Sequence, residues 1–439
     1  MLVLDTSTPR FWDNLAGFCA RARPDAAFSK NVAQILGEVE RRGDDAVRTY
    51  TKKFDGVDIP SKRLRVSAKE IAKAVQEIPS SQKKAFAEAM RCVKAFHKNT
   101  IPGSWRARNP HGALVGENFY PLRRVGINVP GGQVPLVSTV IMTTVLAQMA
   151  GVREIAVCTP PDKSGGTHAG LLAALALCGV EEVYRMGGIQ AMGAFAFGTA
   201  TVPAVDKLFG PGNAYTIEAK RQLFGTVGVD LLPGPSEIMV LCDASANAHW
   251  AALDLLAQAE HGTGKERIYL VSTSRVRLAE IMVEVKRHAA KFAQGNRLGD
   301  VLKHGFLAIH AENLEVATKV ANYVAPEHLE LQVKKSALNK LTKEITTAGA
   351  ILLGGQTPTV LGDFTAGPSH TLPTGRTGRF FSGLRVTDFL RRSSIVQYDS
   401  KSLPKAAGVV AAFSALESLP AHGESLKARL GAGAKTLRH

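Results

Sequence analysis

Several signatures are missing from this 439-residue chain, and each absence narrows its class. Its five cysteines (Cys19, Cys92, Cys158, Cys178, Cys242) are an odd number, widely spaced and without a C-x-x-C pair. That argues against a disulfide framework or a thiolate zinc site and suits a reduced cytoplasm. The opening MLVLDTSTPRFWDNLAGF lacks the basic stretch and apolar core of a signal peptide. No apolar run reaches the roughly 18 residues a membrane span needs. The longest uncharged stretch, 125–152, is broken by prolines, glycines, Asn128 and glutamines, and reads as a buried strand, a Gly-rich turn and a buried helix. The glycines show no three-residue period, which excludes collagen. Aromatics make up only 6%, and the cations behind the net charge of +16 are scattered among acids, so the charge does not read as a nucleic-acid surface. No G-x-G-x-x-G follows a strand, and no H-E-x-x-H marks a zinc hydrolase.

What is present is a periodic α/β pattern. Residues 24–95 are charged and helical, with Ser67 and Glu70 spaced as a capping box. From Tyr120 onward short β-branched runs (REIAVCT, EEVYR, VDKLF, SEIMVLC, ERIYLVS, GFLAIH, AGAILL) alternate with helical segments. Such alternation predicts βαβ units and parallel sheets covered on both faces, in two sheet-containing domains. The tail from Thr387 reads as helical.

Strand-end glycine turns at Pro130-Gly131-Gly132, Gly187-Gly188 before Gln190, and Gly210-Pro211-Gly212-Asn213 fall where parallel sheets bind ligands. Exposed N–H groups with a helix N-terminus behind them suit a pyrophosphate, although the same turns serve as plain βα connections. Gln258 and His261 share a helix face at i, i+3. They read either as two metal donors or, the reading spacing alone favours, as a helix-end histidine stabilised by the dipole before Gly262. Pro326-Glu327-His328 resembles a helix start, and its carboxylate and imidazole could form an acid/base pair. Asp363 and His370 share a loop rich in Gly, Pro, Ser and Thr. Glu417 and His422, five apart, read as solvated surface.

Taken together, RRVGINVPGGQVPLVSTV, GGIQAMGAFAFGT, VDKLFGPGNAYTIEAKRQ, PGPSEIMV, LLAQAEHG, APEHLE, LGDFTAGPSHTLPT and LESLPAH resemble the histidinol dehydrogenase family, in its order, over about residues 120–430. The resemblance implies zinc-dependent, NAD-linked oxidation of L-histidinol to L-histidine through L-histidinaldehyde, the last step of histidine biosynthesis. It implies zinc on Gln258, His261, Asp363 and His422, and Glu327 and His328 as the acid/base pair. Ser236, His370 and Glu417, with His328 and the zinc ligands, would contact substrate, and Asn128, Gln190 and Asn213 would contact NAD. At Asn128 the family usually carries Tyr, a departure that bears on cofactor contact rather than on the reaction. The implied architecture is an intertwined homodimer whose tail residues Glu417 and His422 reach the partner's site. Each chain would have an N-terminal helical segment (1–22), a discontinuous first α/β domain with the zinc and catalytic residues (23–128 with 238–382), an NAD-binding second α/β domain (129–237) and a helical dimerisation tail (383–439). The rival on the same scaffold is a paralogue oxidising another small alcohol, such as a sulfonated diol.

Overall fold

The computed structural model describes residues 1–20, 25–131, 135–261, 263–292 and 297–432. In chain order its first eight strands are β1 (Leu2–Asp5), β2 (Trp105–Arg108), β3 (Leu114–Pro121), β4 (Arg124–Asn128), β5 (Glu154–Thr159), β6 (Glu182–Arg185), β7 (Lys207–Phe209) and β8 (Gly228–Val229). The remaining six are β9 (Glu237–Cys242), β10 (Arg267–Ser272), β11 (Phe306–His310), β12 (His328–Gln332), β13 (Ala350–Leu353) and β14 (Leu390–Gln397). Two compact units result, residues 1–100 with 122–388, and residues 101–121 with 389–439.

The first unit contains two parallel sheets, ordered β1-β11-β10-β9-β12-β13 and β6-β5-β4-β7-β8. Alternate residues of the six-stranded sheet serve opposite cores. Met239, Leu241, Tyr269, Val271, Leu329 and Leu331 pack with the helices Phe11–Cys19 and Leu314–Val324. Ile238, Val240, Ile268, Leu270 and Ala308 pack under the helices Ala248–Ala259 and Arg275–Phe292. Strands buried on both faces have no polar side to show, which is why they read as continuous apolar runs. No helix among the described residues is long and apolar enough to cross a membrane. All five cysteines are unpaired, four of them buried.

Four details differ from the sequence reading. The N-terminal segment adds an edge strand, β1, ahead of its helix. The helices Ala26–Arg42 and Asp44–Asp55, grouped by sequence with the first domain, pack through Val32, Ile35, Val39, Val47 and Tyr50 against the helix Gly188–Phe197 and the five-stranded sheet. An amphipathic period shows that a helix has a buried face, but not which sheet receives it. Pro326-Glu327-His328 opens strand β12 instead of a helix: Ala325 terminates the preceding helix in the left-handed conformation (φ 48°), and Leu329 and Leu331 then alternate into the core. The tail begins with β14, paired antiparallel to β3 in the second unit's three-stranded sheet β14-β3-β2, before its helices Ala407–Leu416 and Pro420–Ala432.

Candidate active site

His328, the first residue of β12, pairs with Ile238, the second residue of β9, so the two strands begin within one residue of each other at the amino end of the six-stranded sheet. Glu237 sits between the two candidate acid/base groups. Its N–H donates to Glu327 Oε2 at 2.8 Å, and its carbonyl accepts from His328 Nδ1 at 3.1 Å. A carbonyl can only accept, so Nδ1 carries the imidazole hydrogen and Nε2 is left as the lone-pair atom. That Nε2 lies 3.7 Å from Asp363 Oδ1, and His370 Nδ1 lies 4.0 Å from the same oxygen. His370 Nε2 reaches Thr139 Oγ1 at 3.4 Å, at the start of the helix Val137–Met149 that follows β4. Residues from both sheets thus meet here.

Burial dominates the electrostatics. It raises Glu327 well above the carboxylate range and Asp363 to about 6, the latter opposed by His261. It lowers His328 and His370 to about 4, and the positive form of His261 acts on both in the same direction. A lone pair on His328 Nε2 facing a carboxylate oxygen is a cavity for something positive: a proton, a cation or a cationic substrate.

The Ala248–Ala259 helix brings Gln258, which is buried, to the same end of the sheet, and His261 follows it in an exposed turn. His261 Nδ1 lies 3.1 Å from the Gln258 carbonyl, so its Nε2 is the nitrogen free to bind. An amide oxygen, an imidazole nitrogen and the Asp363 carboxylate form the N/O donor set zinc accepts, so these residues fit that metal. Gly262 lies outside the described residues. Ser236 is half-buried beside Glu237, and its carbonyl accepts from the Arg267 N–H. Glu417 and His422 belong to the second unit and are exposed there, so the group gathered in the first unit does not include them.

The candidate cofactor residues lie at the carboxyl ends of the five-stranded sheet. Asn128 ends β4 and donates through Nδ2 to the Pro211 carbonyl at 2.5 Å, while its Oδ1 faces the Cys158 thiol. Asn213 caps the helix Ala214–Leu223 by accepting from Tyr215 and Thr216 N–H. Gly210 has φ +97°, and a Cβ there would lie 2.2 Å from the Asn128 carbonyl oxygen, so only glycine fits. Among the described residues, Gln190 Oε1 and Thr159 Oγ1 are buried without hydrogen-bond partners. Orphaned acceptors beside glycine turns and helix N-termini fit a polar cofactor such as NAD. The second glycine of the Pro130 turn, Gly132, lies outside the described residues.

A cavity of about 270 Å³ opens against His328, His370, Ser369, Leu361 and Leu352. A larger cleft of about 820 Å³ at the opposite edge of the sheet is lined by Asp5, Arg10, Arg275 and His310, but Asp5 is already paired with His310 at 2.9 Å and Arg275 at 2.7 Å. The smaller cavity is the one with unpaired acid/base chemistry.

Glu237, Thr139 and Glu330 escaped the sequence reading. Glu330 lies two residues after His328 on the same face of β12, and its Oε1 accepts both the N–H and the hydroxyl of Thr359 at 2.7 Å. It therefore anchors the start of the short helix Thr359–Phe364 that carries Asp363. The alternation His328-x-Glu330-x-Gln332 in a fully buried strand was the available signal. Beneath it, Asp254 accepts from Gln332 Nε2 at 2.9 Å, and burial with Glu330 nearby pushes its carboxyl up to about 8. The folded protein thus holds a proton that the unfolded chain releases near pH 4, and this group costs stability progressively as pH rises from 4 to 8. Asp254→Asn, whose amide can donate to Glu330 and accept from Gln332, is expected to stabilise the protein at pH 8 by at least one unit's equivalent, about 1.4 kcal/mol. The gain should vanish towards pH 4 in thermal melts; an equal gain at both pH values would remove the buried proton from the account.

The family model for histidinol dehydrogenase matches residues 20–430. Histidinol dehydrogenase from Synechococcus sp. is 40% identical over 417 residues, covering 94% of this chain and 95% of its own. The enzyme of that name from Gluconobacter oxydans is 39% identical over 431 residues, covering 97% and 99%. The crystal structure of histidinol dehydrogenase from Elizabethkingia anophelis superposes with a TM-score of 0.92 at 30% identity, covering 99% of each chain. With identity sustained over nearly the whole length and the same fold, the chain belongs to the histidinol dehydrogenase family.

Proposed function

We propose that this protein oxidises L-histidinol to L-histidine through L-histidinaldehyde, using NAD and zinc, as the last step of histidine biosynthesis in the cytoplasm. The observation that carries the reading is the buried constellation Glu327–His328–Asp363–His370, with one imidazole nitrogen held by the Glu237 carbonyl and the other turned towards a carboxylate 3.7 Å away. Gln258, His261 and Asp363, completed by His422 of the partner subunit, would hold zinc. Zinc supplies an anchor for the substrate's imidazole and amine, and NAD supplies the acceptor for each of the two oxidations.

The protein's own groups do the rest. His328 Nε2 accepts the proton released from the alcohol oxygen, then the one from the hydrated aldehyde. Glu327 orients and deprotonates the water that adds to the aldehyde. Its burial disfavours the carboxylate until positive charge enters, and the substrate's ammonium brings that charge. Ser236, His370 and Glu417 hold the substrate, while Asn128, Gln190 and Asn213 hold the cofactor. The cavity of about 270 Å³ suits a small metabolite. The tail supports a homodimer: Val409, Phe413 and Leu416 are exposed at i, i+4, i+7 on the Ala407–Leu416 helix, directly before Glu417.

The test follows NADH appearance with L-histidinol before chelation, after it, and after zinc is restored. Activity should disappear and return. Zinc-replete protein that reduces NAD with a sulfonated diol but not with L-histidinol would establish the paralogous reading instead.

A further inference from the structure

A second cluster of metal-binding side chains lies at the surface, where the Ala248–Ala259 and Arg275–Phe292 helices pack together. His249 stands in the first turn of one helix, and Glu284 and His288 lie at i, i+4 on the other. Three atoms converge: His249 Nδ1 and His288 Nε2 at 3.0 Å, His249 Nδ1 and Glu284 Oε2 at 3.3 Å, His288 Nε2 and Glu284 Oε2 at 3.4 Å. In a tetrahedral zinc site with bonds of about 2.0–2.1 Å, neighbouring ligand atoms are about 3.3 Å apart, because the tetrahedron edge is about 1.6 bond lengths. The observed triangle has nearly those edges before any ion is added.

A positive charge already occupies the mouth of this triangle. Arg287 Nη2 touches Glu284 Oε2, and it lies 3.0 Å from His288 Nε2 and 3.5 Å from His249 Nδ1. One cationic nitrogen thus faces all three candidate ligand atoms. The Arg287 side chain is half in solvent and can swing away, and His249 is exposed, so an ion has a path in and room for a water as fourth ligand.

We propose that His249, Glu284 and His288 form a second metal site, for a borderline divalent transition ion such as zinc, with Arg287 as its built-in competitor. Two imidazoles and a single carboxylate favour zinc, nickel or copper over magnesium or calcium, which prefer all-oxygen shells. The ion would cross-link two helices of the six-stranded sheet's outer layer, at the end of the Ala248–Ala259 helix opposite Gln258. None of these four residues belongs to the site assigned above, so the inference stands apart from the proposed function.

The test is zinc content at fixed, buffered free zinc, measured by equilibrium dialysis and elemental analysis on the full-length protein. His249→Ala and His288→Ala should each hold one zinc per chain fewer than wild type, whatever the wild-type total, and should keep wild-type turnover. Arg287→Gln, which removes the competitor and keeps the helix surface, should bind the additional zinc on the order of 10- to 100-fold more tightly, and Glu284→Gln should bind it more weakly by a similar factor. Zinc content equal to wild type in both histidine variants, or no tightening in Arg287→Gln, would leave an arginine-held hydrogen-bond cluster and overturn the site. Because Glu284→Gln preserves side-chain volume and Arg287→Gln only shortens a half-exposed side chain, failure of a histidine variant to fold does not remove the test.

Discussion

His328→Asn is expected to lower NADH formation from L-histidinol by about two to four orders of magnitude, the usual range for a positioned acid/base group, while leaving the fold intact. The replacement is chosen on geometry. An asparagine amide can still donate to the Glu237 carbonyl, the bond His328 Nδ1 makes at 3.1 Å, so the start of β12 keeps its tie to β9. What disappears is the lone pair on Nε2. Turnover should fall with the melting temperature nearly unchanged, and a loss below tenfold would show that Nε2 is not the proton acceptor. Glu327→Gln separates the two halves of the reaction: its amide oxygen can still accept the Glu237 N–H, but it cannot deprotonate water. Oxidation of supplied L-histidinaldehyde should drop more than the first alcohol step, and equal losses would reject that role.

These assignments show where sequence carried the argument and where it stopped. The parallel strands were legible because strands buried on both faces have no choice but to be apolar, as in β9, β10 and β11. The Ser67–Glu70 capping box formed as read because its spacing is local, whereas the helix on which Gln258 and His261 were read to share a face ends at Ala259 and leaves His261 in the turn beyond it. β14 was not, since LRRSSIVQ is largely exposed and its polar residues mask a strand's alternation. The Pro326 turn was misread because proline opens a helix and a strand equally well, and only the left-handed Ala325 before it decides. The site's inner partners were invisible for another reason. Glu237 and Glu327 are 90 residues apart, and Thr139 and His370 are 231 apart. No spacing rule joins them; two sheets must fold first.

Lys220→Met tests whether the Gly210 turn is built for the cofactor. The Lys220 and Asp230 side chains are almost wholly buried and paired with one another. Between them they hold the two peptide groups that flank one residue: Lys220 Nζ donates to the Gly210 carbonyl at 2.9 Å, and Asp230 Oδ2 accepts the Gly210 N–H at 2.8 Å. Removing the ammonium strands a buried carboxylate, which should cost about 3–5 kcal/mol and lower the melting temperature clearly. The double variant Lys220→Met with Asp230→Leu removes both charges, so much of that stability should return, because a buried ion pair replaced by apolar groups is often neutral. The peptide groups of Gly210 still lose their partners, and the turn ending at Asn213 loses its fixed shape. The double variant should therefore keep a KM for NAD raised about tenfold or more, equivalent to 1.4 kcal/mol of binding, with the KM for L-histidinol little changed. Recovery of both stability and NAD affinity would make the pair a packing device and move the cofactor away from the Gly210–Asn213 turn.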